Sequence, residues 1–183
     1  RKFPRLLYRL MSNKIIENFL LDWSFKMSEK SALAKSRLRC REIMTSKVST
    51  ANGEMTLRAV AQMLKDGDIG ALPVVEKDTN KLVGIITDRD IVVRAVAEGK
   101  TAETTVGEVM TTMLYTAKPD DFAFEVIRTM GERQVRRVLI VNEAGILQGI
   151  ISMADVALEM EDEREIAETL EEISSGTAFW KKN

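Results

Sequence analysis

The chain contains one unit twice, and this duplication limits its fold more than any other feature. Residues 42–45 read Glu-Ile-Met-Thr and residues 108–111 read Glu-Val-Met-Thr. The apolar runs 72–75 and 138–141 recur at the same offset along the chain. Self-similarity at a fixed period indicates a duplicated structural unit. The sequence therefore predicts two copies of a unit of about sixty residues.

Each copy closes with a signature that combines apolar and polar residues. Residues 84–90 read Gly-Ile-Ile-Thr-Asp-Arg-Asp, and residues 149–155 read Gly-Ile-Ile-Ser-Met-Ala-Asp. The signature comes one position earlier in the second copy, and the missing residue falls in the turn between its apolar runs. Length changes confined to a hairpin turn are typical of a duplicated unit.

The signature places a hydroxyl residue three positions before an aspartate, where a predicted strand gives way to a predicted helix. Two interpretations follow. Ser/Thr-x-x-Asp/Glu before an apolar helical run is a capping box, in which each side chain satisfies a free backbone N–H. Alternatively, the hydroxyl and the carboxylate both face one small polar ligand.

The order of these motifs resembles a known family. Glu-apolar-Met-Thr, an amphipathic helix, a strand, a turn, a second strand with the signature and a closing helix together resemble the CBS domain. Two copies in tandem resemble a Bateman module of the small stand-alone bacterial type, over roughly residues 39–160. This resemblance implies an α/β (α+β) fold in which each repeat is a small sheet with flanking helices. It also implies two repeats packed about a pseudo-two-fold axis, with two related clefts between them.

The domain organisation expected from this resemblance has four parts. A basic helical arm comprises residues 1–36, repeat 1 residues 37–100, repeat 2 residues 101–160, and an acidic C-terminal helix residues 161–183. The periodicity predicts the following elements. Helices are expected over 56–65 and 91–97 and from 119 onward, and strands over 69–75, 82–86, 135–141 and 147–151. Gly67 is expected to end the first helix in the left-handed conformation.

The two ends of the chain carry opposite charge. The arm is basic and has an apolar stripe at helical spacing, which predicts a helix that packs on the module or on a second subunit. A helix lying on a membrane surface is the alternative, and no run is long enough to be a transmembrane segment. Residues 159–172 are strongly acidic, so the two ends are expected to meet, unless the acidic run is only a solvated helix face.

Composition removes several classes of function. The chain has no histidine and one cysteine, Cys40, so metal sites, internal disulfides and most hydrolase mechanisms are not expected. A formal net charge of −1 gives no general case for nucleic acid. The single thiol fits a reducing compartment, which predicts a cytoplasmic protein. No nucleophile–base pair, Rossmann fingerprint or P-loop is present, so we do not expect an enzyme.

The resemblance also implies which residues bind a ligand. In CBS tandems the aspartate and hydroxyl of the signature contact the ribose of an adenosine ligand. Here they correspond to Asp90 with Thr87 and to Asp155 with Ser152. A carboxylate can accept hydrogen bonds from two adjacent hydroxyls. The adenine pocket is expected to comprise Lys47, Val48, Leu114, Tyr115, Ile86 and Ile151.

Three arginines at the start of a strand in the second repeat, and one inside the first signature, predict phosphate binding. The candidates are Arg89, Arg133, Arg136 and Arg137. Their counterparts in the other repeat carry no charge: Ala154, Gly67, Gly70 and Ala71. We therefore expect one strong cleft and one that is weak or empty, although which aspartate lies beside Arg136 depends on packing. The alternative is that these arginines form a solvated or dimer-facing strand edge.

The leading hypothesis is a non-catalytic regulatory module for energy sensing and signal transduction. It binds AMP, ADP, ATP or NAD and signals through a change in conformation or assembly, which requires different affinities for two states. The arginines favour a phosphate-bearing ligand over S-adenosylmethionine. The resemblance further implies a homodimer, with a regulated protein partner held through the termini. The alternative is a ligand-free dimeric scaffold that uses the basic arm and acidic tail.

Overall fold

The computed structural model of the protein describes residues 38–159, 171 and 173. The predicted arm and nearly all of the predicted acidic helix lie outside these residues. The described chain is a mixed α/β fold, as predicted. Its elements run in the following order: α1 (Cys40–Ile43), α2 (Leu57–Gly67), β1 (Ala71–Val75), β2 (Leu82–Thr87), α3 (Asp88–Ile91) continuing into a π-helical turn (Val92–Val96), a 3-10 turn (Val106–Glu108), β3 (Thr116–Ala117), α4 (Ala123–Arg133), β4 (Arg137–Val141), β5 (Leu147–Ser152) and α5 (Met153–Glu159).

The sheets repeat the same hairpin. Strands β1 and β2 pair antiparallel, and so do β4 and β5, while β3 adds a parallel edge to β4. A single parallel bridge from Ala51 to Val74 supplies the matching edge in repeat 1. In the part of the chain that the structure describes, no helix has the length and apolarity needed to cross a membrane.

The first helix ends differently from the prediction. Thr56 caps α2 by accepting a hydrogen bond from the backbone N–H of Ala59 at 3.2 Å. The helix then includes Gly67, and the left-handed residue is Asp68, with a φ of 48°. Gln134 has the same role after α4, with a φ of 54°. Asp is among the non-glycine residues that tolerate this conformation best, so the glycine is not needed for the turn.

The opening segment of each repeat pairs with the last strand of the other repeat. Thr45 and Ile150 exchange backbone hydrogen bonds of 2.9 and 3.0 Å, and Thr111 and Ile85 exchange bonds of the same two lengths. The pairing is reciprocal, as two copies related by a two-fold axis require. The Met-Thr segments are therefore exchanged between the repeats.

The hydrophobic cores follow this exchange and not the order of the sequence. Cys40 and Ile43 pack into the core of repeat 2, with α4, β4 and β5. Val106 and Val109 pack into the core of repeat 1, with α2 and β1. A third cluster joins the two sheets: Val75, Leu82 and Ile85 from repeat 1 with Leu114, Leu139, Leu147 and Ile150 from repeat 2. Neither repeat can bury its core without the other.

The signature glycines make room for the exchanged methionines. A Cβ at Gly84 would lie 2.5 Å from Met110 Sδ. A Cβ at Gly149 would lie 2.8 Å from both Met44 Sδ and the backbone oxygen of Thr45. Real Cβ atoms do not approach their neighbours this closely. The glycine of one repeat and the methionine of the other thus form one packing unit.

We predict that Gly149→Ala destabilises the fold more than Gly84→Ala. At Gly84 the closest atom belongs to the flexible Met110 side chain, which can move away, and the backbone oxygen of Thr111 lies at 3.2 Å. At Gly149 the new methyl would lie only 2.8 Å from the backbone oxygen of Thr45, which cannot move as easily. Overpacking of this kind costs about 1–3 kcal/mol of unfolding free energy. Urea unfolding monitored by circular dichroism measures the difference. Gly53→Ala is the matched control, because its Cβ meets no atom closer than 3.9 Å; equal losses at Gly53 and Gly149 would contradict the packing account.

Candidate functional site

Both signatures form complete capping boxes. Asp90 Oδ2 accepts hydrogen bonds from the Thr87 hydroxyl at 2.6 Å and from the Thr87 backbone N–H at 3.0 Å. The Asp90 N–H in turn donates to Thr87 Oγ1 at 3.1 Å. Ser152 and Asp155 make the same three bonds at 2.5, 2.7 and 3.3 Å. The capping interpretation is therefore correct in both repeats, and it occupies one oxygen of each carboxylate.

The exchanged segments bring a second hydroxyl to each aspartate. Thr111 Oγ1 lies 3.4 Å from Asp90 Oδ1, and Thr45 Oγ1 lies 3.3 Å from Asp155 Oδ1. Sequence reasoning missed these two threonines as site residues. The available signal was the repetition of Met-Thr itself, which packing of the methionine alone does not explain. Each site thus combines residues from both repeats.

Arg94 extends the site in repeat 1 only. Its Nη1 donates to the Thr111 hydroxyl at 2.9 Å and to the Val109 carbonyl at 3.1 Å. The same nitrogen lies 3.4 Å from Asp90 Oδ1, whose side chain is 13% exposed. Glu159 stands at the corresponding position of repeat 2, since it follows Asp155 at the spacing by which Arg94 follows Asp90. The two repeats therefore differ in sequence at this position as well as at the predicted phosphate positions.

A cleft of about 480 Å³ lies beside the first signature. Repeat 1 contributes Thr87, Asp90 and Arg89 to its lining, and repeat 2 contributes Arg136 and Arg137. Apolar lining comes from both repeats and from one residue beyond them: Ile85, Met113, Leu114, Val135 and Leu139, with Ile173. Packing thus resolves a question that the sequence left open, because Asp90, not Asp155, shares a cleft with Arg136.

The four predicted phosphate residues occupy different positions. Within residues 38–159 the Arg136 guanidinium has no hydrogen-bond or ion-pair partner. Arg137 Nη2 lies over Gly70, 3.2 Å from where a Cβ would be, with Asp88 Oδ2 beside it. Arg89 lines the cleft. Arg133 lies outside the lining, and its guanidinium carbon is 5.7 Å from the centre of the Tyr115 ring. Arg136 is the residue best placed to receive a ligand anion.

The residues of the predicted adenine pocket do not all lie in this cleft. Leu114 and Tyr115 line the Asp90 cleft, whereas Ile86 and Ile151 are completely buried in the two cores. Ile85 provides the apolar wall, since alternate residues of a strand point to opposite faces. Lys47 and Val48 are not part of this cleft; they follow Thr45, which belongs to the Asp155 site.

The described residues offer no candidate for covalent or metal chemistry. They contain no group of three His, Cys, Asp or Glu side chains that could hold a metal ion. Burial, reinforced by the nearby charge of Asp121, raises the pKa of the Cys40 thiol to about 11. A thiol that stays protonated at neutral pH is a poor nucleophile.

Comparison with known proteins identifies the family. The sequence model of the CBS domain matches residues 40–96 and 106–162. The chain belongs to the CBS domain family. These matches coincide with the duplicated unit and include both signatures, both Met-Thr segments and Arg94.

Two curated relatives align with this chain over both repeats. The CBS domain-containing protein YhcV of Bacillus subtilis is 33% identical over 134 residues, which cover 73% of this chain and 94% of the relative. Hypoxic response protein 1 of Mycobacterium tuberculosis is 38% identical over 118 residues, covering 64% of this chain and 81% of the relative. The similarity therefore spans most of the length of both relatives.

Solved structures agree with this assignment. Hypoxic response protein I with two coordinated zinc ions has a TM-score of 0.60 and 37% identity, covering 67% of this chain and 98% of that chain. The CBS domain pair of protein MJ0100, in complex with 5'-methylthioadenosine and S-adenosyl-L-methionine, has a TM-score of 0.60 and 28% identity, covering 66% and 93%. The fold is thus that of tandem CBS pairs, among which adenosine-containing ligands occur.

We predict that each signature aspartate stabilises the fold without any ligand. Asp155→Ala and Asp90→Ala should each lower the free energy of unfolding by about 1–2 kcal/mol, because each leaves a Ser152 or Thr87 N–H without its cap. Asp78→Ala, in the exposed turn after β1, should change it by less than about 0.5 kcal/mol. Chemical denaturation measures all three values. Unchanged stability in both signature variants would show that the caps are not energetically significant.

Proposed function

We propose that this protein is a non-catalytic regulatory module that binds an adenine nucleotide in the Asp90 cleft. The observation that carries the proposal is the meeting of Asp90 and Arg136, from different repeats, in one cleft. A nucleotide has a sugar that suits a carboxylate and a phosphate that suits a guanidinium. Occupancy would connect the two repeats and so stabilise one arrangement of the pair over another.

The ribose is proposed to bind at Asp90 Oδ1. Oδ2 already accepts two hydrogen bonds from Thr87, which uses the lone pairs of that oxygen. The contacts to Oδ1 are longer, at 3.4 Å from Thr111 and from Arg94. A sugar hydroxyl can therefore approach Oδ1 while the helix cap remains intact.

The phosphates are proposed to bind at Arg136, with Arg137 and Arg89 adding positive charge. Within the described residues Arg136 has no competing anion, so binding a phosphate breaks no existing ion pair. Bidentate pairing of a guanidinium with phosphate is among the stronger charge-assisted interactions. The corresponding positions in repeat 1 are Gly70 and Ala71. The Asp155 cleft is thus proposed to be the weak or empty one.

The base is proposed to lie against the apolar wall formed by Leu114, Tyr115, Ile85 and Leu139. Leu139 is buried, with 2% of its surface exposed, and it packs with Ile85 and Leu114 in the cluster between the sheets. Met113 is 75% exposed at the rim, where an unbranched thioether can adapt to a bound ring. Adenosine ligands in the MJ0100 pair support this choice of base. The arginines here favour AMP, ADP, ATP or NAD over a sulfonium cation.

We predict that adenine nucleotides bind the wild-type protein and that Asp90→Asn weakens binding by about tenfold to a hundredfold. The amide keeps the shape of the side chain but loses the charged acceptor, which contributes about 1.5–3 kcal/mol. Isothermal titration calorimetry with AMP, ADP, ATP and NAD, on protein free of co-purified nucleotide, provides the measurement. Arg136→Ala should reduce the preference for AMP over adenosine by a similar factor.

Asp155→Asn is the matched control, because it makes the same change in the corresponding cleft. It should leave the tight binding event unchanged. Loss of binding through Asp155 instead of Asp90 would move the site to the other cleft. Absence of binding by all four nucleotides would reject the proposed function and favour the scaffold, for which the capping boxes alone are sufficient.

We further propose that the module functions as a homodimer. Val92, Val93 and Val96 are 57%, 49% and 67% exposed on the π-helical turn, and Leu158 at the counterpart of Val93 is 84% exposed. Clustered exposed apolar side chains mark interaction surfaces. A hexameric CBS-CP12 protein with a TM-score of 0.60 shows that CBS pairs can assemble. The valine face lies on the helix that follows Asp90, which connects it to the ligand.

We predict that Val96→Glu converts the dimer to a monomer, because a charge in an apolar interface would be buried without a partner. Sedimentation velocity measures the mass of wild type and variant. Lys65→Glu, an exposed change on α2, should leave the dimer intact. A wild-type monomer, or a Val96→Glu dimer of unchanged affinity, would reject this face as the interface.

A further inference from the structure

Arg94 connects the aspartate of one repeat to the exchanged segment of the other. Its Nη1 has two hydrogens, and the structure assigns them to the Val109 carbonyl at 3.1 Å and the Thr111 hydroxyl at 2.9 Å. Because Thr111 Oγ1 accepts from Arg94, its own hydrogen must point elsewhere. The nearest acceptor is Asp90 Oδ1, at 3.4 Å. Arg94 therefore fixes the Thr111 hydroxyl as a donor directed toward Asp90.

This arrangement differs from an ordinary surface ion pair. Arg128 and Glu132 have the same i,i+4 spacing and a similar distance of 3.5 Å, but both are more than half exposed. Exposed pairs of that kind contribute little. Arg94 adds two hydrogen bonds to the other repeat and faces a carboxylate that is only 13% exposed. Arg128 is thus a matched arginine for comparison: it has the same spacing to a carboxylate as Arg94, which lies beside Asp90.

The result is a donor and an acceptor side by side. A hydroxyl group both accepts and donates hydrogen bonds. One sugar hydroxyl can therefore bridge the two groups: it accepts the hydrogen that Thr111 Oγ1 otherwise directs to Asp90 Oδ1, and it donates its own hydrogen to Oδ1 in place of the 3.4 Å contact. We propose that Arg94 is a positioning residue that enables the Asp90 cleft to distinguish ribose from deoxyribose. This inference rests on the proposed function and extends it to selectivity for the sugar.

The second repeat has no arginine at this position of its sequence. The second cleft has the Thr45–Asp155 contact at 3.3 Å, but the sequence places Glu159 where repeat 1 has Arg94. A carboxylate cannot donate the hydrogen bond that orients a threonine hydroxyl. Selectivity for ribose is therefore expected in the cleft that also contains Arg136. The two clefts are expected to differ both in phosphate affinity and in sugar selectivity.

The test compares each nucleotide with its 2'-deoxy counterpart. AMP, ADP and ATP, and dAMP, dADP and dATP, are titrated calorimetrically into wild type and Arg94→Ala. Wild type should prefer the ribose form by about tenfold or more, as expected when a hydrogen bond to a charged group is lost. In Arg94→Ala the ratio of the two dissociation constants should fall below about threefold. A purely structural arginine would weaken both forms equally and leave their ratio unchanged.

Three further variants separate the orientation of the Thr111 hydroxyl from the stability of the fold and from the positive charge of Arg94. Thr111→Val keeps the shape of the side chain but removes the donor, so it should lose the ribose preference as Arg94→Ala does. Arg94→Lys retains a donor and a positive charge and should recover part of the preference. Arg128→Ala removes an arginine of the same spacing away from the cleft and should keep the wild-type ratio. Circular dichroism establishes that each variant is folded at the titration temperature.

The outcomes test sugar selectivity through Arg94 separately from nucleotide binding itself. A ribose preference that persists in Arg94→Ala or Thr111→Val overturns the inference and leaves nucleotide binding intact. Equal binding of the ribose and deoxyribose forms by wild type also overturns the inference and leaves nucleotide binding intact. A wild type that binds none of the six nucleotides overturns the proposed function together with the inference. Loss of the ratio in Arg94→Ala and Thr111→Val, but not in Arg128→Ala, supports it.

Discussion

The structure depends on the reciprocal exchange of two Met-Thr segments. Each segment pairs with the last strand of the other repeat through two backbone hydrogen bonds, and its methionine packs on the other repeat's signature glycine. The exchange gives each repeat part of the other's core, so neither core is complete alone. It also places a threonine beside each signature aspartate. The contacts that hold the repeats together are therefore continuous with the contacts that form the clefts.

The capping box and the ligand site use different atoms of the same side chain. Asp90 Oδ2 caps the helix, while Oδ1 meets Thr111 and Arg94 from the side of the exchanged segment. Asp90 thus contributes both to the stability of the fold and to the proposed ligand site, and removing its carboxylate changes both. Only isosteric substitutions such as Asp90→Asn, or changes in the partners of Oδ1, can separate the two contributions. The duplication preserves the cap in both repeats, whereas Arg94 and Arg136 have no cationic counterpart.

The sequence was sufficient for the fold because the repeat, its strands and its helices are local patterns. The site was only partly predictable. Asp90, Thr87, Leu114 and Arg136 could be named, but their meeting in one cleft depends on which repeat receives which segment. Arg94 and Thr111 act across the repeats, so no spacing along the chain reveals their contact. The predicted Ile86 is buried in the core and its neighbour Ile85 lines the cleft, because strand alternation defines two faces but does not say which one is buried.

The central claim is that one ligand contacts both repeats in the Asp90 cleft. Chemical-shift mapping of ¹⁵N-labelled protein with ATP tests it most directly, because the amides of Thr87, Thr111 and Arg136 report on that cleft separately. The account predicts saturable shifts at all three amides, while Ser152 in the other cleft is unaffected at the same ligand concentration. Shifts centred on Ser152 and Thr45, or confined to one repeat, would contradict it.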